Sequence, residues 1–375
     1  MGIKKIRIII LIVLFSYTAT ASQTHAQEGF QQPTKPPEEE TLEATVVEIL
    51  EEKEIIPEFG EEEQLYQKLE LIVTKGSLKD KNIIIESGNL AIANLQKYQI
   101  GSKLVISYSK DFEGNDSFYI TDYVRRDPLF LLFATFVVLV AVVARWRGIT
   151  ALLGMGASFF VILKFILPKI LAGSDPIQIA IIGALLIIPL TFYLSHGLNK
   201  KTTVAVVGTV IALIITGLLA GIFVEAAKLT GFASEEAGFL QVAKQGAINI
   251  RGLLLAGIII GVLGVLDDIT VSQSAVVSQL KQINPGLNSK ELYKRAMAVG
   301  QDHISSMVNT LILVYTGASL PLLLLFINNP HPFAEVINYE IIADEVVRTL
   351  VGSIGLILAV PITTLIAVIV AEKTS

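Results

Sequence analysis

The sequence predicts a multi-pass α-helical membrane protein that carries a small all-β domain on the extracytoplasmic side. Three observations predict it. Of the 375 residues, 52% are apolar, and the mean hydropathy of +0.63 exceeds what a soluble domain carries. Seven apolar segments of near-bilayer length follow Pro128. The charge is also uneven: residues 27–127 hold 21 acidic and 11 basic side chains, net −10, and the remainder is net +5. There is no cysteine, which excludes disulfides, thiolate catalysis and cysteine-ligated metals.

Residues 1–26 read as a signal peptide. Lys4, Lys5 and Arg7 precede the apolar core "IIILIVLF", and small residues follow, with Ala21 or Ala26 as the last residue before cleavage. An uncleaved anchor is the alternative, disfavoured because the core is short for a span. The proline-rich stretch "QEGFQQPTKPPEEE", residues 27–40, is a linker. Residues 41–127 contain five short runs rich in Val, Ile and Tyr, cleanest at Leu69, Leu71 and Val73, and suit a small OB-like barrel. Its acidic surface and lack of a basic groove argue against nucleic acid.

Residues 128–375 form the transmembrane domain. Its apolar segments are 128–144, 149–171, 176–195, 202–224, 251–274, 305–327 and 347–371. Arg145, Arg147, Lys200, Lys201, Lys281, Lys290, Lys294, Arg295 and Lys373 all fall at the ends predicted to face the cytoplasm. That orientation puts the β domain outside and the C-terminus inside. An internal similarity between "GALLIIPLT" (183–191) and "GLILAVPIT" (355–363) suggests a parallel repeat of three helices, one linker helix and three more.

The residues able to carry chemistry cluster in the last three segments. Asp267 and Asp268 stand at the end of an apolar run, where a carboxylate costs about 2.5–3.5 kcal/mol at a helix centre. Two adjacent carboxylates resist ionising together, which suits proton coupling. The bland alternatives are a headgroup position or a helix cap. Asp302, Ser306, Asn309 and Thr316 share one helix face, with His303 beside them. A substrate or proton-coupling site of Asp267, Asp268, Asp302, His303, Ser306 and Asn309 is therefore expected between the fifth and sixth segments. Interhelical hydrogen bonding is the simpler account of Asn309 and Thr316 alone. Lys164 and Glu225 lie at comparable depth and either pair or snorkel. Gly217/Gly221 and Gly257/Gly261 are GxxxG pairs expected to permit close helix contact. Pro189 and Pro361 are candidate hinges, with Thr191 and Thr363 placed to satisfy freed carbonyls.

Enzyme signatures are lacking: no HExxH, no G-x-S-x-G and no P-loop lysine occur. An aspartyl hydrolase dyad of Asp267 or Asp268 with Asp302 is a remote reading, and metal ligation by these residues with His303 is a weak one. No cofactor is expected.

The segments "RWRGITALLGMGASFFVILKFILP", "LLLAGIIIGVLGVLDDITVSQSAVV", "GQDHISSMVNTLILVYTGASLPLLLLF" and "VRTLVGSIGLILAVPITT" resemble the YibE/F membrane proteins of bacteria. "LDDITVSQ" and "DHISSMVNT" are the most specific marks, and the resemblance is expected to extend over residues 40–371. It implies a multi-pass architecture and no catalytic residues. The expected function is a permease of a small solute or ion, coupled to protons through the aspartates. The alternative is a non-transporting sensor or assembly scaffold. Expected partners are the bilayer, an unidentified solute, and an envelope protein or a second copy of the chain.

Overall fold

The computed structural model describes residues 39–57, 62–91, 95–111, 114–327 and 331–373. The expected signal peptide and nearly all of the linker lie outside them. The chain divides into two compact units, one ending at Leu131 and one beginning at Leu132.

The first unit is an antiparallel sheet of five strands: β1 (Glu40–Ile55), β2 (Gln64–Lys75), β3 (Asn82–Ser87), β4 (Lys103–Lys110) and β5 (Asp116–Tyr123). The order across the sheet is β3-β2-β1-β4-β5, and the edge strands β3 and β5 also touch. Alternation places every second residue on the inner face. Leu42, Ala44, Val46, Leu69, Leu71, Val73, Ile83, Ile85, Leu104 and Ile106 form one buried cluster. Three register shifts along β1 let its 16 residues curve against both β2 and β4. Gln67 is the buried polar exception, and it is satisfied: Nε2 donates to Glu52 and to the Tyr98 carbonyl, and Oε1 accepts from the Tyr98 N–H. Where the sheet meets the first helix, Arg126 donates both Nη groups to Glu43, at 2.7 and 2.8 Å. That guanidinium holds the Glu43 carboxyl below the usual carboxylate range.

The second unit is helical. α1 (Arg126–Leu171) contains a π-helical turn at Ile162–Ile166. α2 (Pro176–His196), α3 (Lys200–Ala226), α4 (Glu235–Ala243), α5 (Ile250–Ile283), α6 (Ser289–Ala318) and α7 (Leu320–Ile327) follow. The single turn α8 (Phe333–Val336) and then α9 (Glu340–Glu372) complete it. α2, α3, α5 and α6 begin on Asp175, Asn199, Asn249 and Asn288, whose side chains accept first-turn N–H bonds.

Among the described residues, five helices, α1, α2, α3, α5 and α9, are long and apolar enough to cross a membrane; α6 with α7, bent by 72°, would make six. The expected seven segments differ from this because 128–144 and 149–171 share the one helical run α1. At Arg145 that run breaks, with φ 53° and ψ −135°. A Cβ on Gly148 would lie 2.4 Å from the Val140 carbonyl oxygen, so the chain turns sharply there and the two halves are separate pieces.

α3, α5 and α9 pack mutually, α2 lies on α5, and α6 lies on α9. Tight contacts form where glycines meet a neighbour. A Cβ on Gly355 of α9 would sit 2.1 Å from Thr216 Oγ1 of α3, and one on Gly208 of α3 would sit 2.4 Å from Thr363 Oγ1 of α9. The GxxxG pairs do not serve this purpose. Gly221, Gly257 and Gly261 face open space, because close packing on α3 and α5 uses other faces. Neither proline breaks its helix. Thr191 Oγ1 donates to the Ile187 and Ile188 carbonyls, not to the Leu185 carbonyl that Pro189 leaves without an N–H. Near Pro361 it is Thr364, not Thr363, that donates to a carbonyl, that of Val360.

Candidate functional site

Asp267 and Asp268 line a cavity of about 570 Å³. Its walls come from four helices. The second half of α1 supplies Arg147 and Ser158, the end of α2 supplies Thr191, Ser195 and His196, and α3 supplies Lys201. α5 supplies Gly264 and both aspartates. Gly154 sets the wall geometry: a Cβ there would lie 3.2 Å from Ser195 Oγ and 3.6 Å from the Thr191 Cα, so α1 and α2 run backbone to backbone. Lower down the same seam, Ile166 of α1 fills the notch at Gly183.

The two carboxylates take different surroundings because adjacent helical positions differ by about 100°. Asp267 is half-buried and Asp268 is exposed to the cavity. Neither makes a salt bridge or a side-chain hydrogen bond among the described residues. Three basic side chains, Arg147, His196 and Lys201, face them across the same cavity. Such a space accepts a polar or charged solute, or water that relays a proton.

The structure places the other expected site residues elsewhere. Asp302, Ser306 and Asn309 lie on the exposed face of α6, and half-buried His303 is beside them with its Nδ1 unpartnered. None of the four lines the aspartate cavity. The face of α6 that meets the bundle is apolar, with Leu311 buried and Ile304 and Met307 packed on the core. That leaves the polar stripe pointing away. The dyad and the shared metal site of Asp267 or Asp268 with Asp302 therefore do not form, and the described residues contain no group of three or more potential metal ligands. The Lys164–Glu225 pair does not form either. Both side chains are exposed; the π-helical turn carrying Lys164 packs on α2, whereas Glu225 ends α3.

Arg147, Ser158, Ser195, His196 and Lys201 were not expected as lining. Their sequence signal was present, since a base or hydroxyl at the same end of successive apolar segments must share a depth with Asp268. In the sequence Arg147 and Lys201 mark orientation only. One more feature belongs to the site. Gly257, Gly261 and Gly264 recur at helical spacing on the face of α5 that ends in Asp268, and all three have open space where a Cβ would go.

The YibE/F-like family model matches residues 132–373. The chain belongs to the YibE/F-like family. The match covers the whole helical unit, including both aspartates and the basic residues opposite them. It begins after the sheet and so covers less than the expected span of 40–371. No curated protein and no solved structure matches the chain. YibE/F membership and the apolar helices together fit a membrane protein.

Proposed function

We propose that the protein is a permease for a small polar solute or ion in the bacterial cytoplasmic membrane, coupled to protons through Asp267 and Asp268. One observation carries the reading: two adjacent carboxylates without side-chain partners face three basic groups across a 570 Å³ cavity. A closely packed structural pair would leave no such space. The open glycine face supports it, since it leads from Asp268 toward a second cavity that includes Gly257. The distance from Gly257 to Asp268 is about 16 Å along the axis, at 1.5 Å per residue.

The topology that accompanies this reading has seven crossings. A 46-residue helix would extend about 69 Å, more than twice a ~30 Å hydrocarbon core, and the break at Arg145 divides it into two spans. α6 with α7 supplies another as a broken span. The β unit, read as an OB-type barrel from its strand order and edge contact, is then outside, and Lys201, Lys281 and Lys373 are inside.

The test uses purified protein in proteoliposomes loaded with a pH-sensitive dye, exposed to a panel of solutes under an imposed pH gradient. The expected result is solute-dependent proton movement, lost in Asp267→Asn and Asp268→Asn variants that remain folded. Equal movement in wild type and both variants, or none with any solute, overturns the reading.

A second reading, a non-transporting scaffold or sensor, draws on the exposed stripe Asp302, Ser306 and Asn309 and on the first half of α1, whose apolar side chains from Leu129 to Val143 stay largely exposed. Both surfaces suit contact with a second copy. A monodisperse monomer in mild detergent and in native membranes would count against it.

A further inference from the structure

A third cavity, of about 530 Å³, lies where α3 begins and where α5 and α9 end. α3 brings Lys200 and Lys201 to it, α5 brings Ser278 and Lys281, and the end of α9 closes the wall.

The charge here has one sign. Three lysines line the cavity and no carboxylate does. None of the three makes an ion pair among the described residues. Lys281 is held in place without being neutralised: its Nζ donates to the Pro285 carbonyl at 2.8 Å and to the Leu287 carbonyl at 3.0 Å. Those bonds fix the ammonium at the cavity edge and leave its charge and its third N–H unused. Like charges gathered without a counter-ion repel one another, and an anion seated among them removes that cost.

Behind the lysines the wall is apolar. Val204, Val277 and Ala367 are buried there in one packed cluster. An adjoining cavity of about 480 Å³ shares Lys200, Val204 and Val370 with the first and continues to Leu198 and Thr203. A ligand that fills both volumes needs an anionic head and an apolar body. A phosphate ester without chains would leave the apolar wall to water.

We propose that the two adjoining cavities hold one anionic phospholipid, its phosphate among Lys200, Lys201 and Lys281 and an acyl chain along Val204 and Val370. The position agrees, since the cavities open at helix ends, the level at which a bilayer places its headgroups. Which leaflet that is follows from the proposed orientation; the binding itself does not rest on transport. A zwitterionic phospholipid brings a quaternary ammonium with its phosphate and so gains less from three lysines.

The experiment titrates dioleoylphosphatidylglycerol into the full-length protein in non-ionic detergent and counts retained lipid by native mass spectrometry. Dioleoylphosphatidylcholine, with the same chains, and glycerol 3-phosphate, with none, are the comparison arms. One phosphatidylglycerol per chain is expected to bind at least about tenfold tighter than either. Lys200→Gln combined with Lys281→Gln should weaken it by about tenfold or more, at about fivefold for each lysine near the surface. Lys290→Gln with Lys294→Gln removes the same charge from exposed positions outside both cavities and should leave the affinity within about twofold. Equal retention of the two phospholipids by the wild type overturns the proposal, with no variant needed. So does an equal loss in the two double variants, which would make the attraction a property of the basic surface as a whole. Glycerol 3-phosphate binding as tightly as the lipid overturns it too, and makes this a site for a soluble phosphate ester. Selective lipid binding without any solute flux would sink only the permease reading. Solute flux without lipid preference would sink only this one.

Discussion

The seam between α3 and α9 gives the sharpest test of the fold. At Gly355→Ala the added methyl would start 2.1 Å from Thr216 Oγ1, 2.9 Å from its Cγ2 and 3.1 Å from its Cβ. Thr216 cannot easily step aside. It is 1% exposed and its hydroxyl donates to the Ala212 carbonyl at 2.7 Å. Either the helices separate or the threonine leaves its rotamer and its hydrogen bond. Overpacking of this kind costs about 1–3 kcal/mol, and the lost hydrogen bond about 1 kcal/mol. The gain in helix propensity from Gly to Ala offsets up to about 1 kcal/mol, leaving a net loss of about 1–3 kcal/mol. Gly183→Ala, at the matching position of the similar motif in α2, meets the Cδ1 and Cγ1 of Ile166 instead. That side chain is fully buried and β-branched, and its Cγ1 as well as its tip is too close, so the loss should again be about 1–3 kcal/mol. Unfolding in mixed micelles with increasing SDS, followed by far-UV circular dichroism, reads both values. Thr216→Ala removes the two closest atoms and should recover about 1–2 kcal/mol in the Gly355→Ala background, a coupling expected only of residues in contact. Wild-type stability in Gly355→Ala, or equal losses with and without Thr216, would refute the close approach.

Four other outcomes follow from the structure. Leu71→Ala, at a fully buried position of β2, should destabilise the sheet by about 2–5 kcal/mol in a denaturant titration. Glu43 has a folded-state pKa lowered chiefly by Arg126, so its contribution is full above the ordinary carboxylate range and lost as pH falls through the depressed value; Arg126→Gln should flatten the acid side of the sheet's stability profile. Gln273→Ala should cost about 2–3 kcal/mol in SDS unfolding, since its Nε2 links α5 to the Ala296 carbonyl and the Thr364 hydroxyl. A Cβ on Gly261 meets nothing within 4 Å, so Gly261→Leu should fold normally yet stop solute-dependent proton movement in proteoliposomes.

Period-two alternation made the sheet legible residue by residue, because one inner face must be apolar whatever the partner strand: Leu69, Leu71 and Val73 are all fully buried. Apolar length likewise located the helices. Which helix neighbours which was not legible, because an apolar helix looks alike on its lipid and protein faces. Asp302, Ser306 and Asn309 were therefore assigned inward on polarity, whereas α6 turns its apolar Leu311 to the bundle. The GxxxG spacing misled for the same reason: spacing says that a close approach is possible, and only the fold says that Gly208 and Gly355 receive one.

The two similar motifs also explain why one seam holds a cavity and the other does not. In each, the motif helix runs antiparallel to an earlier helix, with a glycine of that neighbour at the motif threonine and a side chain at the motif glycine. For α2 the neighbour is α1, through Gly154 and Ile166; for α9 it is α3, through Gly208 and Thr216. A strict three-one-three repeat would give α9 the sixth segment in that position, so the packing follows the pair and not the triplet. α5 lies against both motif helices and treats them differently. Toward α9 and α3 it turns Leu266, Ile269, Thr270 and Gln273, all buried, with the Thr270 hydroxyl 2.6 Å from that of Thr209. Toward the α1 and α2 pair it turns Gly264, which occupies no space, and then two carboxylates. The cavity is thus a property of one face of α5, so enlarging Gly264 should close it without disturbing the filled seam on the opposite side.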